Sequence, residues 1–258
     1  MNILIASLAQ IPVTKYGGTE RMIWWLGREL NRQGHTVTYL VAAGSVCPFA
    51  KVLIFDPDKD MNLQVPDDID VVHFQFPVYN FTKTPYIATV HNNAGNVELN
   101  DNSVFVSANH AARYGSSVFV YNGIDTNDYL KPDLSARRSY VHFLAKAAWR
   151  LKNVKGAIDV AIQSGNRLVV LGGTRLNIKM GVRFTADLRV RFKGMVNDTV
   201  KSQVLNGSKA LIFPVLWHEP IGIALIESLY FGCPVFGTPY GSLPELVPPE
   251  LGFLSGSK

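Results

Sequence analysis

The segment between Glu219 and Glu227 carries the residue types best suited to bind a charged substrate. Its apolar pattern predicts a helix over residues 221–231, and Pro220 suits the first turn because its missing N–H would be unpaired there anyway. Gly222 permits a ligand to approach the backbone closely. The N–H groups of this turn and the positive end of the helix dipole predict an anion site that needs no metal.

The two carboxylates have different predicted roles. When ionised, Glu227 only accepts hydrogen bonds, which suits the two hydroxyls of a ribose. Glu219 lies at the mouth of the predicted helix, where a sugar joined to a diphosphate would be bound. The alternative is a buried helix whose glutamates only cap it and form ion pairs, because most of its faces are apolar.

A basic cluster follows the apolar segment YVHFLA and contains Lys146, Arg150, Lys152 and Lys155. Two cations of this cluster could neutralise a diphosphate, although lysine supplies a point charge and not the bidentate geometry of arginine. A solvated basic face is the alternative.

The distribution of charge favours the diphosphate. Residues 134–258 carry 16 Lys and Arg against 7 Asp and Glu, whereas residues 1–133 carry 9 against 13. A basic half suits a nucleic acid, an anionic membrane surface or a small anionic ligand, and charge alone does not choose among them.

Short apolar strands alternate with helices along the chain, which indicates an α/β fold with two doubly wound parallel sheets. The first domain is predicted to span residues 1–133 and the second residues 134–258. A helix over residues 19–33, with Thr19 as its N-cap, follows the first strand. The other predicted strands of the first domain cover residues 36–43, 71–74, 86–90, 104–106 and 117–121, and residues 122–133 form the linker.

Composition narrows the class of protein. No apolar stretch reaches the roughly 18 residues that a spanning helix needs. The start of the chain lacks the pattern of a signal peptide, and Cys47 and Cys233 lie far apart without metal-ligand spacing, so a reducing cytoplasm is expected. Asp56-Pro57-Asp58 has a spacing that can bind a divalent metal, but the surrounding run indicates an exposed acidic loop.

The pattern Glu, seven residues, Glu, followed by GCPV, resembles the signature of glycosyltransferase family 4. EPIG is similar to the EPFG of that family, with Ile221 in place of Phe. The resemblance covers nearly the whole chain, since GGTE at residues 17–20, NGID at residues 122–125 and FLAKAAWRLKNVKG at residues 143–156 are also similar to family segments. It implies the GT-B architecture, in which two Rossmann-like domains face a cleft.

The resemblance also implies roles for individual residues. It makes Lys146, which replaces the usual Arg, and Lys152 or Lys155 the pair that grips the diphosphate, and it puts His91 beside the donor sugar. With Glu219, these residues form the expected catalytic set of Lys146, Lys152, His91 and Glu219. The expected donor-binding set comprises Gly17, Gly18, Thr19, Gly172, Gly173, Met195, Pro220, Ile221, Gly222, Ile223 and Glu227.

The implied activity is retaining transfer of a hexose from a UDP- or GDP-linked donor to a saccharide, a lipid-linked glycan or a small molecule, as in polysaccharide biosynthesis. No cofactor, metal or nucleic acid is expected, and the protein is expected in the cytoplasm, where contact with the inner face of a membrane stays open. The alternatives are a nucleotide-sugar epimerase and a non-catalytic nucleotide-sugar-binding subunit. Because family members continue beyond GFLSGSK, the chain is also expected to be truncated at its C-terminus.

Overall fold

A computed structural model describes residues 1–13, 17–95, 99–178 and 180–256. By contact density the chain divides into two compact units, Met1–Asn122 and Gly123–Lys258. Each unit is built on a six-stranded parallel sheet, which confirms the predicted α/β class with two Rossmann-like sheets. No helix within the described ranges is both long and apolar enough to cross a bilayer.

The first unit has the strand order β3-β2-β1-β4-β5-β6, in which the order reverses between β1 and β4. Its strands are β1 (Asn2–Ala6), β2 (Thr36–Val41), β3 (Lys51–Ile54), β4 (Val71–Phe74), β5 (Tyr86–Val90) and β6 (Ser103–Phe105). Its helices are α1 (Gly18–Arg32), α2 (Met61–Gln64) and α3 (Ala108–Ala112). Apolar side chains fill both faces of the sheet, as expected for parallel strands; Leu4 and Phe74 pack on one face, and Ile5 and Tyr39 on the other.

Two local predictions for this unit are wrong. Helix α1 begins at Gly18 with Gly17 as its N-cap, because the Gly17 carbonyl accepts the first helical hydrogen bond from Arg21 N, so Thr19 lies inside the first turn. Residues 117–121 do not form a strand and make one β-bridge, between Phe105 and Phe119. Strand β3 was not predicted.

The second unit repeats the same winding, with the order β11-β8-β7-β12-β13-β14. Its strands are β7 (Tyr140–Leu144), β8 (Leu168–Leu171), β9 (Leu176–Asn177), β10 (Arg183–Phe184), β11 (Val190–Phe192), β12 (Ser208–Phe213), β13 (Val235–Gly237) and β14 (Gly252–Leu254). The helices are α4 (Val154–Gln163), α5 (Asp198–Asn206), α6 (Ile223–Tyr230) and α7 (Leu243–Leu246). Strands β9 and β10 form a separate antiparallel hairpin.

The segment before β7 belongs to the second unit by its contacts. Leu130 N donates to Ser202 Oγ at 3.2 Å, and Asp133 N donates to Asn206 Oδ1 at 2.7 Å. Both acceptors lie on α5. The end of the segment that the sequence predicts as a linker therefore packs against the second unit.

Candidate active site

The strand order of the second unit reverses between β7 and β12, and ligands of open α/β sheets bind beyond the carboxyl ends of strands at such a reversal. Lys146 follows β7, and Glu219 lies in the loop that follows β12. Gly172 follows β8 and Met195 lies just beyond β11, so all four lie beyond carboxyl ends of neighbouring strands.

Lys152 and Glu219 form a buried ion pair at this reversal. The Lys152 Nζ lies 2.5 Å from Glu219 Oε2, and the two residues are only 7% and 6% exposed. Trp217 Nε1 also donates to Glu219 Oε2, at 2.8 Å. Lys152 ends a short 3-10 helix over residues 150–152, after which Asn153 adopts a left-handed conformation and caps α4. The fold thus brings together two residues of the expected catalytic set that are 67 positions apart.

Aromatic rings surround the Lys152 ammonium. It lies 4.8 Å from the ring centroid of Trp217, 5.3 Å from that of Trp149 and 5.6 Å from that of Phe213. The two tryptophan rings meet edge to face, with centroids 4.5 Å apart. The quadrupoles of these rings attract a cation, so they hold the charge of Lys152 in a site with little water.

The other two lysines of the basic cluster lie outside this pair. Lys146 and Lys155 are exposed, the former directly beyond β7 and the latter on α4. A Cβ added at Gly172, which has φ of 106°, would lie 2.1 Å from Ala145 O. Glycine is therefore required there by close packing against the backbone next to Lys146, a structural reason independent of any donor.

The turn between Glu219 and α6 differs from the predicted one. Helix α6 begins at Ile223, and its N-cap Gly222 has a left-handed conformation with φ of 72°. Pro220 and Ile221 therefore precede the helix, and the expectation that Pro220 lies in the first turn is wrong. The physical reason is that Gly222, which adopts this conformation at little cost, reverses the chain immediately before the helix.

Neighbouring loop residues hold this turn in place. Ser242 N donates to Glu219 O at 2.8 Å, and Ser242 Oγ donates to Ile221 O at 3.1 Å. A Cβ at Gly241 would lie 2.3 Å from Glu219 N and O, so the backbone of Gly241 packs directly against that of Glu219.

Glu227 accepts hydrogen bonds from two side chains that the sequence interpretation missed. Tyr129 OH donates to Glu227 Oε1 at 2.6 Å, and Lys201 Nζ donates to the same oxygen. Lys201 also pairs with Asp198 Oδ1 at 2.9 Å and lies 4.9 Å from the Tyr129 ring centroid. Within the described ranges, Glu227 Oε2 has no protein partner, so it is the oxygen available to a ligand.

A signal for Lys201 was present in the sequence. Lys201 lies on the same face of α5 as the apolar Val204 and Leu205, and a cation at a buried helical position indicates a buried anion. Tyr129 lies in the segment that the sequence predicts as the linker, where no ligand contact was expected.

An open cavity of about 350 Å³ lies beyond the carboxyl end of β8 and along β11. Its lining residues are Gly173, Thr174, Arg175, Leu188, Val190, Arg191, Phe192 and Gly194. Gly173 belongs to the expected donor-binding set, and Met195, which is 40% exposed, directly follows Gly194. The Gly194 N–H donates to Gly173 O at 3.1 Å and joins the two loops that border the cavity.

In the first unit, His91 follows β5 and its Nε2 lies 2.8 Å from Gln75 Oε1. Burial lowers the pKa of His91 to about 4, and the nearby His73 and His110 add to this effect. His91 is therefore neutral at pH 7 and can exchange hydrogen bonds with a sugar hydroxyl without carrying charge. Gly17 and Gly18 begin α1 beyond β1, but residues 14–16 before them lie outside the described residues.

The acidic pattern at residues 56–58 forms an exposed turn. Asp56 lies 3.1 Å from Lys59 Nζ, and Asp58 N donates to the Asp56 carboxylate. Among the residues described, no group of three or more His, Cys, Asp and Glu side chains could hold a metal ion.

Most of the second unit matches a family of known proteins. Residues 133–258 match the family model of glycosyl transferases group 1. The matched range contains Lys146, Lys152, Glu219 and Glu227, whereas Gly17 and His91 lie outside it. No curated protein sequence matches the chain.

Solved structures of glycosyltransferases share the fold of the chain. AviGT4 of avilamycin A biosynthesis matches with a TM-score of 0.77 and 19% identity, over 100% of this chain and 84% of that one. Sucrose-phosphate synthase from Thermosynechococcus elongatus matches with a TM-score of 0.74 and 15% identity, over 98% of this chain and 85% of that one. HepE from Anabaena in complex with UDP-glucose matches with a TM-score of 0.67 and 16% identity, over 100% of this chain and 86% of that one. The fold is that of GT-B glycosyltransferases.

Proposed function

We propose that the chain is a retaining glycosyltransferase of family 4 that transfers a hexose from a nucleotide-diphosphate sugar to a saccharide, a lipid-linked glycan or a small-molecule acceptor. The observation that carries the proposal is the buried Lys152–Glu219 pair at the strand reversal, immediately before the N-terminus of α6. This site combines a cation, a carboxylate and the positive end of a helix dipole, the groups that a sugar diphosphate needs.

The donor is proposed to extend along the carboxyl ends of the strands in the second unit. Its base occupies the cavity beside Gly173, and the ribose hydroxyls donate to Glu227 Oε2. The diphosphate lies against the first turn of α6 with Lys146 and Lys152 as its cations. Because HepE, a structure of the same fold, was solved with UDP-glucose, UDP is the proposed nucleotide and GDP the alternative.

The first unit is proposed to supply contacts to the donor sugar and its phosphate. Neutral His91 exchanges a hydrogen bond with a sugar hydroxyl. Gly17, Gly18 and Thr19 at the start of α1 offer a second helix N-terminus to the donor phosphate.

In the proposed reaction the bond between the anomeric carbon and the diphosphate oxygen breaks, and the diphosphate leaves with the electron pair. Lys146, Lys152 and the N-terminus of α6 stabilise the departing anion in a preorganised site. The acceptor hydroxyl attacks the same face of the sugar, and its proton passes to the departing diphosphate. Glu219 stabilises the positive charge that develops on the sugar ring, and no metal takes part.

The protein is proposed to act in the cytoplasm, where the free thiols of Cys47 and Cys233 stay reduced. We do not propose a nucleic acid as a partner.

A panel of UDP- and GDP-linked sugars with EDTA present tests the activity. Nucleotide release or transfer to an acceptor supports the proposal, with mass spectrometry of the products as the readout. Epimerised donor in place of released nucleotide would identify an isomerase, and tight binding without turnover would identify a binding subunit. A melting temperature that no nucleotide raises would contradict the site itself.

A further inference from the structure

Two side chains hold the same oxygen of the Glu219 carboxylate. The indole Nε1 of Trp217 donates to Glu219 Oε2 at 2.8 Å, and Lys152 Nζ lies 2.5 Å from that oxygen. Within the described ranges, Glu219 Oε1 has no protein partner. Because both oxygens of an ionised carboxylate accept hydrogen bonds, the two donors fix Oε2 and leave Oε1 available to a ligand.

The loop after β12, which carries Trp217, is tied to both neighbouring segments. Leu216 N donates to Leu151 O, in the 3-10 helix, at 2.8 Å. Thr238 Oγ1, just beyond β13, donates to Val215 O at 2.6 Å. The indole ring packs against the apolar core of the second unit. The fold therefore sets the position of the indole N–H before a substrate binds.

The ring and the N–H of Trp217 have separable functions. The ring lies 4.8 Å from the Lys152 ammonium and attracts the cation, as the rings of Trp149 and Phe213 also do. Of these three side chains, Trp217 is the one that donates to Glu219. Phenylalanine could replace the ring at this position, but it has no N–H to donate.

We propose that Trp217 is a positioning residue that orients the Glu219 carboxylate so that Oε1 faces the bound sugar. Rotation of the carboxylate would break the hydrogen bonds from both the indole and the ammonium, so Oε1 keeps one orientation. A charge held in this way stabilises the transition state without first reorienting. The inference rests on the proposed function, in which Glu219 stabilises the positive charge that develops on the sugar ring.

Kinetics of Trp217→Phe test the proposal, because this variant removes the N–H and keeps an aromatic ring beside Lys152. With the best donor, we expect kcat to fall about tenfold and KM to change by less than about twofold, since one hydrogen bond to a charged group is lost. In a Glu219→Gln background the same substitution should change kcat by less than about twofold, because the carboxylate on which it acts is absent.

A matched control, Leu216→Ser, alters the exposed side chain next to Trp217 and should leave kcat unchanged. Circular dichroism checks that each variant folds. Equal losses of kcat in the two backgrounds would overturn the proposal and leave Trp217 a structural role. Normal kcat in Trp217→Phe would contradict it as well, and a rise in KM alone would make the ring a substrate contact instead.

The indole N–H signal of Trp217 tests the same hydrogen bond without any activity. In protein made with isotope-labelled tryptophan, Trp217→Phe identifies the signal by its loss. Because a charge-assisted hydrogen bond is stronger than a neutral one, this signal should move upfield in Glu219→Gln. A signal that does not respond would contradict the positioning role. A responding signal in a chain that turns over no donor would support the hold on Glu219 and contradict the proposed function.

Discussion

The ammonium of Lys152 lies 2.5 Å from the carboxylate of Glu219, with both side chains buried and three aromatic rings around the cation. Burial makes each charge depend on the other, because an unpaired charge in such a site loses its hydration without compensation. The pair therefore contributes to the stability of the second unit. In the proposed site it also lies next to the bond that breaks, between the anomeric carbon and the diphosphate.

The mutual dependence of the pair predicts a large coupling energy. Lys152→Met and Glu219→Gln should each lower the free energy of unfolding, Lys152→Met by about 3 kcal/mol because it leaves a buried carboxylate. The double variant should lose less than the sum of the single losses, by about 1 kcal/mol or more. Urea unfolding of the four proteins measures this coupling, and additive losses would contradict it.

Glu219 should affect turnover more than donor binding. Glu219→Gln keeps the size of the side chain but removes its negative charge, so we expect kcat to fall by about 100-fold while the affinity for the nucleotide changes little. Steady-state kinetics with the best donor and calorimetric titration with UDP separate the two effects. Glu250→Gln, at an exposed position, is the control and should leave both values unchanged. Normal turnover in Glu219→Gln would refute the assigned role.

Glu227 should determine the preference for a ribose in the donor. Its Oε2 is available while Tyr129 and Lys201 hold Oε1, so a donor without the 2′-hydroxyl should react about tenfold more slowly in kcat/KM. Glu227→Gln should reduce this preference, and Tyr129→Phe should reduce it in part by loosening the carboxylate. Competition between UDP-sugar and its 2′-deoxy analogue measures the ratio. An unchanged ratio in Glu227→Gln would exclude ribose contact.

Stability should fall in mild acid because histidines are buried in the neutral form. Burial lowers the pKa of His142 to about 3, and its ring nitrogens contact the hydroxyls of Ser208 and Ser228. The unfolded chain binds a proton below about pH 6.5, whereas the folded chain does not bind it until near pH 3. Stability is therefore complete above this window and decreases as the pH falls through it, by about 1.4 kcal/mol per pH unit for this group.

Urea unfolding between pH 7 and pH 4 measures that slope. His142→Gln should be less stable at pH 7, since it loses the serine contacts. Its free energy of unfolding should depend less steeply on pH, because the number of protons taken up on unfolding falls by about one. A slope equal to that of the unaltered chain would show that His142 does not titrate in this way.

Much of the fold follows from the sequence because strand and helix patterns are local. Strands β4 and β5 lie where short apolar segments predict them. The start of α6 was not predictable from Pro220 alone, because Gly222 adopts a left-handed conformation and takes the N-cap position two residues later. Residues 117–121 have strand composition, but they make a single bridge beside β6.

The site shows the same division between local and non-local information. The expected catalytic residues Lys152 and Glu219 were identified from motifs, but their direct pairing depends on a contact between residues far apart in sequence. Lys201 and Tyr129 were missed because neither belongs to a motif that binds a ligand. The glycine at position 172 has a packing reason of its own, so its presence alone does not indicate a donor.

A crystal structure of the chain with UDP tests the central claim most directly. We expect the uracil in the cavity beside Gly173, the ribose hydroxyls on Glu227 Oε2, and the diphosphate between the N-terminus of α6 and Lys152. UDP bound at another place, or no UDP bound at concentrations that saturate nucleotide sites, would contradict the assignment of this unit to the donor.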